Sequence, residues 1–434
     1  MSVNFYQGQT DLLQDVKQKS NESSKIDAIN EIDDEKVLVS LKIEEIKKRI
    51  AEFFNIKNIH FLFGSGTSCN AIPNMHGLYK AVVNNLNKQR KEAQAEDKDL
   101  YESICREFCS IHRRVRKNGF YNLEEVLGIL YSNRIYLQGY TEKNQELIIC
   151  EKLIALIENI IFKNLNITFD SEQAEKVLND YQTFYQKLAL RNKDFSRINV
   201  FTTNNDLFNE TALDKLNIHY INGFGGGLNK FFNPALFNYT FSKRMDISIE
   251  KYEPVENMVN LYKIHGSVNW IEDDSNTNTF FKIREISFPE KLTEDERKIL
   301  IYPTPTKQNK SLGSPYVELF REFQKKLLIP HSVLFIIGYS FSDEHVNNVI
   351  YQALATNSTI IVVILNNIED KDISRNKDNR IFRIWGNIQD NGKETPIHYF
   401  DYIVNNLFPS IEASREQETI LKDFIEFYNQ GILK

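Results

Sequence analysis

A β-prone run ends at Tyr262-Lys263-Ile264-His265-Gly266-Ser267, and His265 is the side chain best suited to acid–base chemistry, because an unperturbed imidazole titrates near neutrality. Held at the carboxyl end of a strand, it projects into a cleft; alone, the tripeptide also fits an ordinary loop histidine. Other apolar runs end in comparable fashion. Asn58 to Phe63 leads into Gly64-Ser65-Gly66-Thr67-Ser68, where glycines let a backbone approach a pyrophosphate and helix-start amides favour anions. The full glycine fingerprint of a dinucleotide fold is missing there, so a plain tight turn stays open. Arg197 to Phe201 ends in Thr202-Thr203-Asn204-Asn205-Asp206, polar side chains placed where open α/β sheets bind ligands. A turn asparagine and a helix-capping aspartate are the alternatives for Asn204 and Asp206. Ser332 to Ile337 breaks at Gly338-Tyr339-Ser340-Phe341-Ser342-Asp343, and Thr359 to Leu365 stops at Asn366-Asn367.

Apolar strands separated by helical periods predict the scaffold for these groups: an α/β fold, a Rossmann-like, doubly wound, mostly parallel sheet covered on both faces. From Leu78 to Leu190 glycine nearly vanishes and helical spacing dominates, which predicts an all-α helical insertion. The chain divides into an amino-terminal arm and helix (1–54), a discontinuous α/β core (55–77 and 195–410), the helical insertion (78–194) and a carboxyl-terminal helix (411–434). The first forty residues are polar and read as a loosely held arm, with an amphipathic helix from Lys36. Ile301 to Pro305 reads as extended, since each proline disfavours helix before it.

With 434 residues, 41% hydrophobic and 26% charged, the composition is that of a globular protein with ample core. A net charge of −6 provides no footprint for a dominant nucleic-acid surface, so nucleic acid is expected only indirectly. No apolar run approaches the roughly 20 residues of a membrane span, and the polar start is unlike a secretory signal, so a cytoplasmic location is expected. Cys69, Cys105, Cys109 and Cys150 form no knuckle spacing; no metal site is expected, and Cys105 and Cys109 read as small buried residues. The basic run His112 to Lys117 reads as a solvated helix face.

Taken together and in this order, the strand ends resemble the sirtuin superfamily. Its Gly-Ala-Gly-x-Ser motif is matched by Gly64 to Ser68, its Thr-Gln-Asn-x-Asp signature by Thr202 to Asp206, its His-Gly-Ser by His265 to Ser267, and its late Gly-Thr-Ser by Gly338 to Ser340. The zinc ribbon and the acyl-lysine segment of sirtuin deacylases have no counterpart, and Asn74, Met75 and His76 replace the nicotinamide-side aspartate, phenylalanine and arginine. The resemblance is strongest to sirtuin-like NADase domains of bacterial antiphage defence, in particular the subunit that pairs with a HerA-type hexameric ATPase. It implies an NAD+ hydrolase, with NAD as substrate, no metal, Asn204 and His265 catalytic, and a homo-oligomeric assembly beside the ATPase. It further implies that Gly64, Ser65, Gly66 and Ser68 supply amides and a hydroxyl to the pyrophosphate, that Asp206 orients the ribose, that Gly338, Ser340 and Asn366 border the adenosine half, and that Thr67 and Thr203 are also among the NAD-binding residues. Tyr339 lies against adenine or packs in a turn. The alternative function is a non-catalytic subunit that senses NAD or ADP-ribose and gates a partner ATPase or nuclease.

Overall fold

The computed structural model describes residues 2–14, 31–94, 97–115, 123–189, 191, 194–245, 251–255, 257–273, 280–287, 315–390 and 392–409. The expected carboxyl-terminal helix and the extended segment from Ile301 to Pro305 lie outside them. In chain order the strands are β1 (Ser2–Gln7), β2 (Thr10–Asp11), β3 (Asn58–Phe63), β4 (Ile198–Thr202), β5 (His219–Ile221), β6 (Phe224–Gly225), β7 (Lys230–Phe232), β8 (Ser242–Arg244), β9 (Tyr252–Pro254), β10 (Met258–Lys263), β11 (Trp270–Glu272), β12 (Ile283–Glu285), β13 (Ser332–Ile337), β14 (Ile361–Leu365), β15 (Ile381–Asp390) and β16 (Lys393–Pro396). The helices are α1 (Glu31–Phe54), α2 (Met75–Glu92), α3 (Lys98–Val115), α4 (Leu123–Gln138), α5 (Asn144–Leu165), α6 (Glu172–Ala189), α7 (Phe208–Lys215), α8 (Tyr316–Leu327), α9 (Glu344–Thr356) and α10 (Phe400–Tyr402). None of the described helices is long and apolar enough to cross a membrane.

The main sheet runs β2-β1-β15-β14-β13-β3-β4-β10-β5, with β16 against β15. From β15 to β5 every neighbouring pair is parallel. This is the Rossmann-like, doubly wound arrangement expected. Its central strands β3 and β13 are buried at all six positions, as strands covered on both faces must be. Alternation divides their side chains between two cores: Phe61, Phe63, Phe335 and Ile337 pack with α1, α6, α7 and α10, while Leu62, Leu334 and Ile336 pack with α8 and α9. A buried polar ladder crosses the sheet between them: Asn260 Nδ2 donates to Asn199 Oδ1 (2.9 Å), and Asn199 Nδ2 lies 3.2 Å from His60 Nδ1. Burial holds His60 down to about 3, so its ring is neutral at pH 7.

Two boundaries differ from the sequence reading. The arm begins with a strand, β1, antiparallel to β15, with Val3 and Phe5 buried and Tyr6 stacked on Trp385 at 5.5 Å. Its six-residue alternation is diluted by the polar residues that follow it, which is why composition over the first forty residues concealed it. The helical insertion also ends earlier than 194 in packing terms. Helices α2 to α5 enclose a core of their own, around Val82, Phe108, Leu127 and Ile157, but α6 turns Val177, Tyr181, Phe184 and Leu188 into the core beneath the sheet. Of the two cysteines expected to be buried, Cys105 is, but Cys109 is exposed; Cys150 is buried and Cys69 exposed. Arg113 and Arg114 face solvent.

Candidate active site

Register decides where the functional loops emerge. Phe63 pairs with both Ile337 and Thr202, and Thr202 pairs with Lys263, so β13, β3, β4 and β10 end level. The chain passes from β3 to β4 on one side and returns to β13 on the other, which makes the β3/β13 boundary a topological switch point, where open α/β sheets bind ligands.

The four loops leaving these strands close into a hydrogen-bonded ring. Gly66 donates its amide to the Gly338 carbonyl (2.9 Å), joining the loops after β3 and β13. Asn204 Nδ2 donates to Thr67 Oγ1 (3.0 Å) and Ser68 Oγ (3.4 Å), joining the loops after β4 and β3. Asn205 Nδ2 donates to the carbonyls of His265 (2.8 Å) and Gly266 (3.1 Å), joining the loops after β4 and β10. His265 Nε2 lies 3.1 Å from Asp343 Oδ2, which completes the circuit back to the loop after β13. Thr203 donates its amide to the Phe63 carbonyl (3.0 Å), and Asn366 Nδ2 donates to the Tyr339 carbonyl (3.0 Å), bringing in the end of β14. The structure thus places the candidate strand-end residues on neighbouring loops at the carboxyl ends of the central strands.

It changes the reading of several. A Cβ built on Gly64 would lie 2.5 Å from the Gly338 carbonyl oxygen, and one on Gly66 2.6 Å from Gly338 Cα. These glycines are required for loop to pack on loop. The amides of Gly64, Gly66, Thr67 and Ser68 are likewise spent within the protein, whereas that of Ser65 has no main-chain partner among the described residues. The expectation that the whole turn offers its amides to a pyrophosphate therefore narrows to Ser65. Gly338 itself stands at φ +64°, where a Cβ would meet Thr67 N at 2.7 Å. Gly338→Ala is expected to lower stability by about 1–3 kcal/mol and to loosen the ring, read as a shift in the urea midpoint at constant slope.

Tyr339 is buried, and its hydroxyl donates to Asn347 Oδ1 (2.9 Å) and the Asp343 carbonyl (3.0 Å), which makes it a packed turn residue. Ser340 is exposed, its hydroxyl 2.7 Å from that of Ser342. Asp206 Oδ1 accepts the amide of Phe208 two residues on (3.2 Å), an Asx-type turn leading into α7; the N-cap itself is Leu207, so the helix-cap alternative does not hold for Asp206. Burial pushes its carboxyl upward, against the pull of Lys263 and of hydrogen bonds from Phe208 and Ser68.

Three supporting residues carried no sequence signal. The Tyr181 hydroxyl, from α6, stands 2.7 Å from Thr67 Oγ1 and 3.2 Å from Ser68 Oγ, the two groups that hold Asn204. Its ring stacks on Phe208 at 5.5 Å, and burial keeps its phenol protonated. Tyr181→Phe is expected to lose about 1 kcal/mol, measured as a lower urea midpoint. Beneath the loop after β4, Lys263 is 1% exposed, pairs with Glu210 Oε1 at 2.9 Å and donates to the carbonyls of Asn205 and Asp206.

Fold and site together define a Rossmann-like α/β protein with a ring of polar strand-end loops at its switch point. Residues 198–386 match the family model described as SIR2-like domain, which supports a sirtuin-like domain with an NAD-related function over that stretch. No curated protein matches the chain. The matched stretch begins at β4, so the loop after β3 lies outside it; the bonds from Asn204 to Thr67 and Ser68 tie that loop into the same site. Among the described residues, no group of three or more His, Cys, Asp or Glu side chains is arranged to hold a metal ion.

Proposed function

We propose that the protein is an NAD+ hydrolase that cleaves the nicotinamide–ribose bond with water to give ADP-ribose and nicotinamide. The ring of four loops carries this reading, because it brings the asparagine and the histidine of the SIR2-like region onto one rim of the sheet. Cleavage of such a bond develops positive charge on the ribose, so the protein must fix the sugar, offset that charge and deliver a nucleophile. With Nδ2 committed to Thr67 and Ser68, Asn204 turns its Oδ1 to a ribose hydroxyl or to the attacking water. His265 accepts the proton of that water as its oxygen bonds to the anomeric carbon and nicotinamide departs with the electron pair of the broken bond. The Asp206 carboxylate lies on the same loop, where its charge favours the cationic ribose.

The resemblance to antiphage NADases supports a role as a defence effector that depletes NAD once activated. It supports pairing with a HerA-type ATPase and homo-oligomerisation as well. The α2–α5 bundle, with a core separate from the sheet's, is the layer available for such contacts. Nicotinamide release from NAD by the purified protein, alone and with its genomic neighbour, tests the reading. Release by the wild type is expected; NAD binding without release under either condition overturns it in favour of a sensor.

A further inference from the structure

We infer that Asp343 is the positioning carboxylate of His265, fixing the ring so that the nitrogen facing the ribose is the basic one. The two residues leave β13 and β10, which are separated by β3 and β4, about 14 Å at the usual strand spacing. Both loops therefore reach across the intervening strand ends to bring His265 Nε2 within 3.1 Å of Asp343 Oδ2. The carboxylate is itself immobilised: its other oxygen caps α9, accepting the amides of His345 (2.9 Å) and Val346 (3.3 Å). Neither side chain has solvent freedom, at 12% and 10% exposed. Phe320 of α8 stands beside the imidazole, with ring centres 6.4 Å apart, and His345 lies against the same phenyl ring at 6.2 Å. From β10 and α7 the charged groups are the Lys263–Glu210 pair, and from the loop after β4 Asp206.

An aspartate that accepts Nε2–H leaves the basic lone pair on Nδ1 and stabilises the imidazolium once a proton arrives. The proton taken from water thus rests on His265 beside a fixed negative charge, and passes to solvent after ADP-ribose leaves. Helix capping alone would explain Asp343 without His265, and the two roles separate in Asp343→Asn. Asparagine still accepts the α9 amides, but it turns an NH2 group toward the ring and favours the wrong tautomer.

The catalytic half of this inference rests on the NAD-hydrolase reading, so the test has a readout of its own. In protein labelled at histidine Cε1, with the His265 signal assigned by its loss in His265→Ala, the Asp343→Asn titration midpoint should fall by about 1 pH unit or more. The same variant should lose kcat by about 100-fold with KM and the melting temperature unchanged. Asp343→Ser, which caps the helix and is too short to reach the ring, should behave alike. An unmoved midpoint overturns the inference, as does wild-type turnover in Asp343→Asn when His265→Ala is inactive. A shifted midpoint in a protein whose wild type does not cleave NAD upholds the pairing and overturns the hydrolase reading instead.

Discussion

His265→Ala is expected to lower kcat for nicotinamide release by about 10²–10⁴ while the fold survives. The reasoning lies in how the loop after β10 is held. Asn205 bonds the main-chain carbonyls of residues 265 and 266, and the Val268 amide donates to the Asn205 carbonyl (3.0 Å), so loop geometry does not depend on the imidazole. Asp343, deprived of its partner, still caps α9 through Oδ1. The melting temperature should therefore stay close to wild type, and the loss should fall on kcat. Asn204→Ala should also abolish turnover, but with some loss of stability, because its amide is a partner of the buried Thr67 and Ser68 hydroxyls. Product release by chromatography and thermal unfolding together distinguish the two. Turnover by His265→Ala within threefold of wild type, on the scale on which a general base contributes about 100-fold or more, counts against a base at this position.

The site was legible where chemistry and local pattern coincide. The apolar runs of β13 and β14, and the largely apolar β3 with His60 inside it, announce buried parallel strands, and each polar or glycine-rich exit marks the end of one. What local sequence cannot carry is pairing across the sheet. Tyr181 reads as one more aromatic on an amphipathic helix, and only the packing of α6 beneath the sheet brings its hydroxyl to Thr67. Asp343 is visible as a helix cap three residues after Ser340, but its second oxygen finds His265 through strand order and register. In sequence Gly64 and Gly66 point to a ligand, because glycine admits any close approach; the neighbour that needs the space is the Gly338 loop. In β1, two buried side chains in six residues are too short a signal to stand out from the polar stretch behind them.

Lys263→Met is expected to lose about 3–5 kcal/mol of stability at pH 7, the usual consequence of removing one partner from a buried ion pair. Glu210 would be left buried without its counter-ion, and the carbonyls of Asn205 and Asp206 without their donor. Burial already pushes the Glu210 and Asp206 carboxyls upward, with Lys263 as the main opposing influence on both. Without the lysine they rise further. A carboxyl whose folded pKa lies above its unfolded value near 4.3 is neutral at no penalty below that value. It withdraws stability as pH rises from there through its folded pKa. The deficit of Lys263→Met relative to wild type should accordingly be smallest near pH 4 and should widen toward pH 7, in urea titrations at each pH. Lys263→Met combined with Glu210→Gln should recover part of the loss at pH 7, since Glu210 then carries no unpaired charge, but not all of it, because Asp206 has still lost its counter-charge and the two carbonyls still lack their donor. A deficit that does not change with pH would mean that packing by the lysine's alkyl chain, and not the charge pair, holds the loop that carries Asn204. The pair therefore links stability to function: it lies beneath that loop, and Lys263→Met should hold the loop closer to its native geometry at acidic pH than at neutral pH.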